Sequence, residues 1–120
     1  MKLKQTETQV QSAIMEWLQY QHPDVLLMRT NSGGVKPEHG GWVWYVRWFA
    51  RRIVGDEQTK GASDLHICYY GKFIAIECKS EKGKQSPEQK LYQKAVENSG
   101  GIYCLAYSID DVERCLNDAK

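Results

Sequence analysis

Asp64-Leu65-His66-Ile67-Cys68-Tyr69-Tyr70-Gly71-Lys72-Phe73-Ile74-Ala75-Ile76-Glu77-Cys78-Lys79 holds two apolar runs of strand length on either side of a Tyr-Gly-Lys turn. If the loop is the pair Tyr70-Gly71, Tyr69 pairs with Lys72 and, counting outward, Asp64 falls opposite Glu77. If the loop is Gly71-Lys72, Asp64 falls opposite Lys79 and His66 opposite Glu77. Either register puts Asp64, Glu77 and Lys79 on one face of a sheet, because side chains alternate with period two. A three-residue loop breaks that arrangement unless a bulge restores it.

Opposed side chains have Cβ atoms about 4.5–5.5 Å apart, and like charges there repel. Two carboxylates at that spacing need a cation or a shared proton. A hard divalent ion such as Mg²⁺ takes one or two carboxylates and keeps waters for substrate oxygens. Lys79 can orient an attacking water or stabilise charge on a phosphoryl group. These are the parts that phosphodiester hydrolysis needs. Glu-x-Lys by itself is common, and on an exposed strand it is an ion pair of little energetic value. Here it ends a run, Phe73 to Ile76, with the character of a strand buried on both faces.

Outward from this hairpin the pattern is α, β, β-rich insertion, β, β, α, β, α. Thr6-Glu7-Thr8-Gln9 is a capping box, and Val10, Ile14, Trp17 and Leu18 recur at helical spacing, predicting a helix from about Glu7 to Gln21 that ends before Pro23. Val25 to Thr30 is expected to be a buried strand, followed by a Gly-rich loop over residues 32–41. One or two strands are expected between Trp42 and Ile53. Ser86-Pro87-Glu88-Gln89 is a second capping box with proline at N1; its helix stops at Gly100-Gly101. Ile102 to Tyr107 is a strand, and Ser108 opens a last helix with Val112, Cys115 and Leu116 as its apolar stripe. The helix between Lys79 and Ile102 makes the strands it joins parallel; the earlier strands are expected to be antiparallel. The fold class is α/β, an α+β mixed sheet with helices packed on it, and the 120 residues form one domain.

Composition is that of an ordinary globular chain: 42% hydrophobic, 26% charged and a net charge of +1. With no global basic signature, any nucleic-acid contact must rest on local positive charge. The apolar runs are too short to cross a membrane, and no apolar segment follows Met1-Lys2-Leu3-Lys4-Gln5 as in a secretory signal. Cys68, Cys78, Cys104 and Cys115 show no zinc spacing and are expected to be buried, reduced thiols of a cytoplasmic protein.

Gly61-Ala62-Ser63-Asp64-Leu65, Gly71-x-Phe73-Ile74-Ala75-Ile76-Glu77-Cys78-Lys79, Ser86-Pro87-Glu88-Gln89 and Gly100-Gly101 together resemble the VRR-NUC nucleases of the PD-(D/E)XK superfamily, in their small stand-alone bacterial and phage form. The superfamily's proline before the aspartate is Ser63 here. The resemblance spans nearly the whole chain and implies a restriction-endonuclease-like core, α-β-β-β-α-β, carrying a β-rich insertion and a C-terminal helix. It implies an Mg²⁺- or Mn²⁺-dependent endonuclease cutting DNA, in particular branched DNA such as Holliday junctions, as a homodimer in a bacterial or phage-infected cell. Asp64 and Glu77 would be the metal carboxylates, the backbone carbonyl of Cys78 a further ligand, and Lys79 the residue that positions the water. Glu7 matches a metal or water ligand on the first helix. Gln89 matches a supporting glutamine, yet its place in the capping box gives it another task. A non-catalytic DNA-binding or assembly module that kept the fold is the competing reading, and a chance Glu-x-Lys in a small α+β domain is a third.

The insertion carries Trp42, Trp44, Tyr45, Trp48 and Phe49 with Arg47, Arg51 and Arg52, and Arg29, Lys36 and Lys60 can join it in space. Arginines on phosphates and stacked aromatics suit nucleic acid; for the tryptophans core packing or a subunit contact is the favoured reading, and for the arginines phosphate contact. Asn31-Ser32-Gly33-Gly34 can bring backbone close to a phosphate.

Overall fold

The computed structural model describes residues 5–30, 33–35, 43–45 and 61–120. Helix α1, Glu7–Gln21, begins in the expected capping box: Gln9 N donates to Thr6 Oγ1 at 3.1 Å and Thr6 N donates to Gln9 Oε1 at 2.8 Å. Strand β1, Leu26–Arg29, is followed by β2, Gly33–Val35, and β3, Val43–Tyr45. Strands β4, Leu65–Tyr69, and β5, Lys72–Cys78, form the hairpin. Helix α2, Pro87–Asn98, crosses to β6, Ile102–Ala106, and α3, Ile109–Ala119, follows.

The result is an α+β fold. A four-stranded mixed sheet, ordered β1-β4-β5-β6, pairs β5 with β6 in parallel and its other neighbours antiparallel. Strands β2 and β3 form a separate antiparallel pair. The sheet separates two apolar layers. On one side Val10, Ile14 and Leu18 of α1 and Val112, Leu116 and Ala119 of α3 close over Leu65, Ile67, Ile74, Ile76 and Cys104. On the other, Tyr92 and Val96 of α2 cover Ala75 and Tyr103. No described helix is long and apolar enough to cross a membrane.

The hairpin takes the first of the two registers. Tyr69 pairs with Lys72 and Leu65 with Ile76. Tyr70 and Gly71 both have positive φ, 50° and 76°, as a two-residue type I′ turn requires, because its twist matches that of the strands. Asp64 therefore lies one step beyond the last ladder pair, opposite Glu77.

Three expectations are corrected. Strand β1 is not buried: it is the sheet edge among the described residues, with Leu26 63% and Met28 40% exposed. A strand, β2, lies inside the stretch expected to be loop, because its backbone has β3 to pair with. Cys68 is exposed while Cys78 and Cys104 are buried, since Cys68 is paired between Leu26 and Phe73, both themselves exposed. Trp42 and residues 46–53 of the aromatic stretch lie outside the described residues.

Gly61 fixes how the polypeptide enters β4. A Cβ at this position would stand 2.2 Å from the backbone carbon and oxygen of Glu88 and 2.4 Å from the nitrogen of Gln89, so the segment before Asp64 lies directly against the first turn of α2. Gly71 has open space around it and only its positive φ to favour glycine. Gly61→Ala should destabilise the protein by roughly 1–3 kcal/mol or more through a backbone clash, and Gly71→Ala by about 1 kcal/mol through strain alone. Urea unfolding of both variants checks the order.

Candidate metal centre and active site

Four groups meet at one end of the sheet. Asp64 stands before β4, Glu77 near the end of β5 and Lys79 just beyond it; Glu7, the first residue of α1, reaches the same place from the helix N-terminus. Carboxylate oxygens of Glu7, Asp64 and Glu77 all lie within 4.8 Å of one another. Glu77 is 2% exposed and Lys79 8%, so these two groups are largely removed from water, while Glu7 stands at the exposed side of the cluster. Asp64 Oδ2 accepts from the backbone N–H of Cys78 at 2.9 Å, which locks the carboxylate against the end of β5. Lys79 is set by its own backbone, whose N–H donates to Ala106 O at 2.9 Å, and its stem lies close beneath Gly83. The Gly83 loop is held in turn by Tyr107, whose hydroxyl donates to Gly83 O at 3.0 Å.

Burial raises the Glu77 carboxyl to about 9; a hydrogen bond with Asp64 and the Asp64 charge add to the rise, and the Lys79 ammonium opposes it. Burial of its carboxyl also raises Glu7, again against the pull of Lys79. One proton held between Glu77 and Asp64 thus relieves the repulsion when no cation is present. Glu77 Oε1 is buried without a hydrogen-bond partner. An orphaned buried carboxylate oxygen facing two further carboxylates fits a hard cation with oxygen ligands. Glu7, Asp64 and Glu77 are the side chains that would hold it.

The other residues singled out by sequence are distributed unevenly. The Cys78 side chain belongs to the core on the opposite face; its thiol is pushed far up by burial, leaving its backbone carbonyl, between Glu77 and Lys79, as its contribution at this end of β5. Gln89 Oε1 accepts from Ser86 N at 2.9 Å, and Gln89 N donates to Ser86 Oγ at 3.1 Å. The capping task thus occupies the oxygen of Gln89. Arg29 is on the edge strand β1. Asn31, Lys36, Arg47, Arg51, Arg52 and Lys60 lie outside the described residues. An open cleft of about 390 Å³ runs beside Glu7, lined by Gln5, Thr6, Ser80, Glu81 and Lys82.

Two features escaped the sequence reading. The first is a buried polar relay behind Asp64. Thr30 Oγ1 donates to Ser63 O at 3.0 Å and also meets His66 Nδ1. Its single proton is spent on the carbonyl, so His66 Nδ1 carries the hydrogen between them. His66 Nε2 then accepts from Tyr92 OH at 2.6 Å. The relay ties α2, β4 and the residue after β1 together just behind the carboxylates. The second feature is a pair of buried hydroxyls, Ser63 Oγ and Tyr103 OH, close to each other but outside good hydrogen-bond geometry; burial raises Tyr103 to about 12, against the opposing pull of Gln85 and Ser63. A buried-face polar residue every second position, Asp64 then His66, was the only available signal for the relay.

Searches against protein-family models, curated proteins and solved structures returned no match to this chain.

Below pH 4.5 Glu77 is protonated in both folded and unfolded chains. Between about 4.5 and 9 only the folded chain keeps the proton, so in the presence of chelator stability should fall as pH rises through that window. Glu77→Gln mimics the protonated form. It should be more stable than the parent at pH 7.5, on the order of 1–3 kcal/mol, and its stability should be flatter across the window; denaturant titrations at several pH values check both.

Proposed function

We propose that this protein is a metal-dependent DNA endonuclease with a PD-(D/E)XK-type active site, hydrolysing phosphodiester bonds. The observation that carries the reading is the meeting of Glu7, Asp64 and Glu77 oxygens within 4.8 Å beside a nearly buried lysine. Glu77 and Asp64 are nearly out of water while Glu7 stands at the exposed side, and carboxylates brought together there are costly unless a proton or a divalent cation joins them. Mg²⁺ or Mn²⁺ held there would supply Lewis-acid polarisation of the scissile phosphate and lower the pKa of a water.

The residues divide the work by position. Asp64 is anchored by the Cys78 N–H and Glu77 is buried, so both present oxygens with little freedom to swing away. Glu7 closes the third side from α1. Lys79, with its stem confined under Gly83, offers its ammonium to the attacking water and to the charge that develops on the phosphoryl oxygens. The cleft beside Glu7 gives a polynucleotide strand a way in, with Lys82 at its wall. The resemblance to VRR-NUC nucleases extends this reading to branched DNA and to a homodimer, two sites across a two-fold axis suiting two strands. Light scattering with and without DNA tests the assembly; a 13.8 kDa species under both conditions would leave a nicking monomer.

The decisive experiment is a cleavage assay on linear, flapped and four-way DNA with Mg²⁺, Mn²⁺ or chelator. Cleavage should require the cation. Lys79→Ala should lower turnover by about 10²-fold or more while keeping the fold and most DNA affinity. Binding without cleavage under every condition would favour the non-catalytic DNA-binding module.

A further inference from the structure

Cys104 and Cys115 stand outside the carboxylate site, the first in the core and the second packed against it. Cys104 is on β6, register-paired with Ile76, and is 1% exposed. Cys115 is on α3 and partly exposed. The two sulfurs are 2.6 Å apart, closer than ordinary contact between non-bonded sulfurs and within about 0.6 Å of a disulfide bond length. Little movement separates the thiol pair from a bond.

We propose that Cys104 and Cys115 are a thiol–disulfide modification site, oxidised by a low-molecular-weight disulfide such as oxidised glutathione to an intramolecular bond that ties α3 to β6. The partly exposed Cys115 is the entry point. Cys115 Sγ donates toward Cys104 Sγ, and because Cys104 is 1% exposed, Cys115 is the thiol that a small disulfide reaches and that attacks as its thiolate. The Cys115 thiolate displaces one thiolate from the small disulfide, giving a mixed disulfide at Cys115. Cys104 loses its proton as its sulfur attacks the Cys115 sulfur, and the second thiolate leaves. Two protein thiols and one small disulfide become one protein disulfide and two small thiols, with no other oxidant.

The bond joins two elements that are already packed, so it needs no rearrangement of the core. Asp111 holds the start of α3 in place: its side chain accepts from Tyr107 N at 2.8 Å and pairs with Arg114, and its carbonyl lies 3.7 Å from Cys104 Sγ. Cys68 is exposed with no sulfur partner among the described residues, and Cys78 is buried. Cys68 can take up glutathione only as a mixed disulfide, so the intramolecular bond is confined to Cys104 and Cys115.

The test uses the intact native protein and oxidised glutathione. After incubation, free thiols are blocked under denaturing conditions and the protein is digested without reduction. A cross-linked peptide pair containing Cys104 and Cys115 is expected, along with a melting temperature several degrees higher that dithiothreitol reverses. Cys68→Ser should still cross-link, and Cys115→Ser should show neither the cross-link nor the shift. Recovery of Cys104 and Cys115 as alkylated thiols would overturn the proposal. So would a stable glutathione adduct on Cys115 with Cys104 still free, or an unchanged melting shift in Cys115→Ser.

Discussion

Two acidic side chains at the end of a sheet face each other because a turn of two residues sets the register. Unit charges about 5 Å apart repel by roughly 3 kcal/mol at an effective dielectric near 20, against a whole-domain stability of about 5–15 kcal/mol. The fold accepts that repulsion at one place and arranges much else around it. The proton on Glu77 and the Lys79 ammonium reduce it, and the Cys78 N–H on Asp64 keeps one carboxylate from turning into solvent.

The supporting structure is distributed over three elements that meet only after folding. Helix α1 contributes Glu7 while its apolar stripe sits on the opposite side of the sheet from α2. Helix α2 presses its first turn on Gly61 and, through Tyr92, holds His66 and Thr30 behind Asp64. The loop after Lys79 is pinned by Tyr107, next to the β6–α3 junction. The chemistry of the site thus depends on both layers, and the cysteine pair lies in the one that carries α1 and α3.

Much of this was legible in the chain. Both capping boxes, the β4–β5 hairpin, the parallel β5–β6 pair and the Gly100 helix stop each follow from local rules: a side chain that satisfies orphan amides, a period of two, a crossover helix, a residue tolerating positive φ. The grouping of Asp64, Glu77 and Lys79 followed from counting along the hairpin. Glu7 came only from the family resemblance, since nothing local ties a helix N-terminus to a strand some 57 residues later.

Local reading failed where the outcome depended on what lies beside an element. Val25 to Thr30 is apolar enough for a central strand, but burial is set by the neighbour count, and β1 received a partner on one side only among the described residues. Gly33–Val35 became a strand because β3 offers hydrogen bonds, not because glycine prefers that state. The choice between the two hairpin registers, the Thr30–His66–Tyr92 relay and the closeness of Cys104 to Cys115 all require distances across elements. By itself the sequence determined the three helices, the hairpin and crossover strands, the turn and the alternation that puts two carboxylates on one face, because those are short-range consequences of sterics and period. Tertiary structure alone decided which oxygens meet, which are dry and which thiols touch, because burial and proximity are properties of packing between segments distant in the chain.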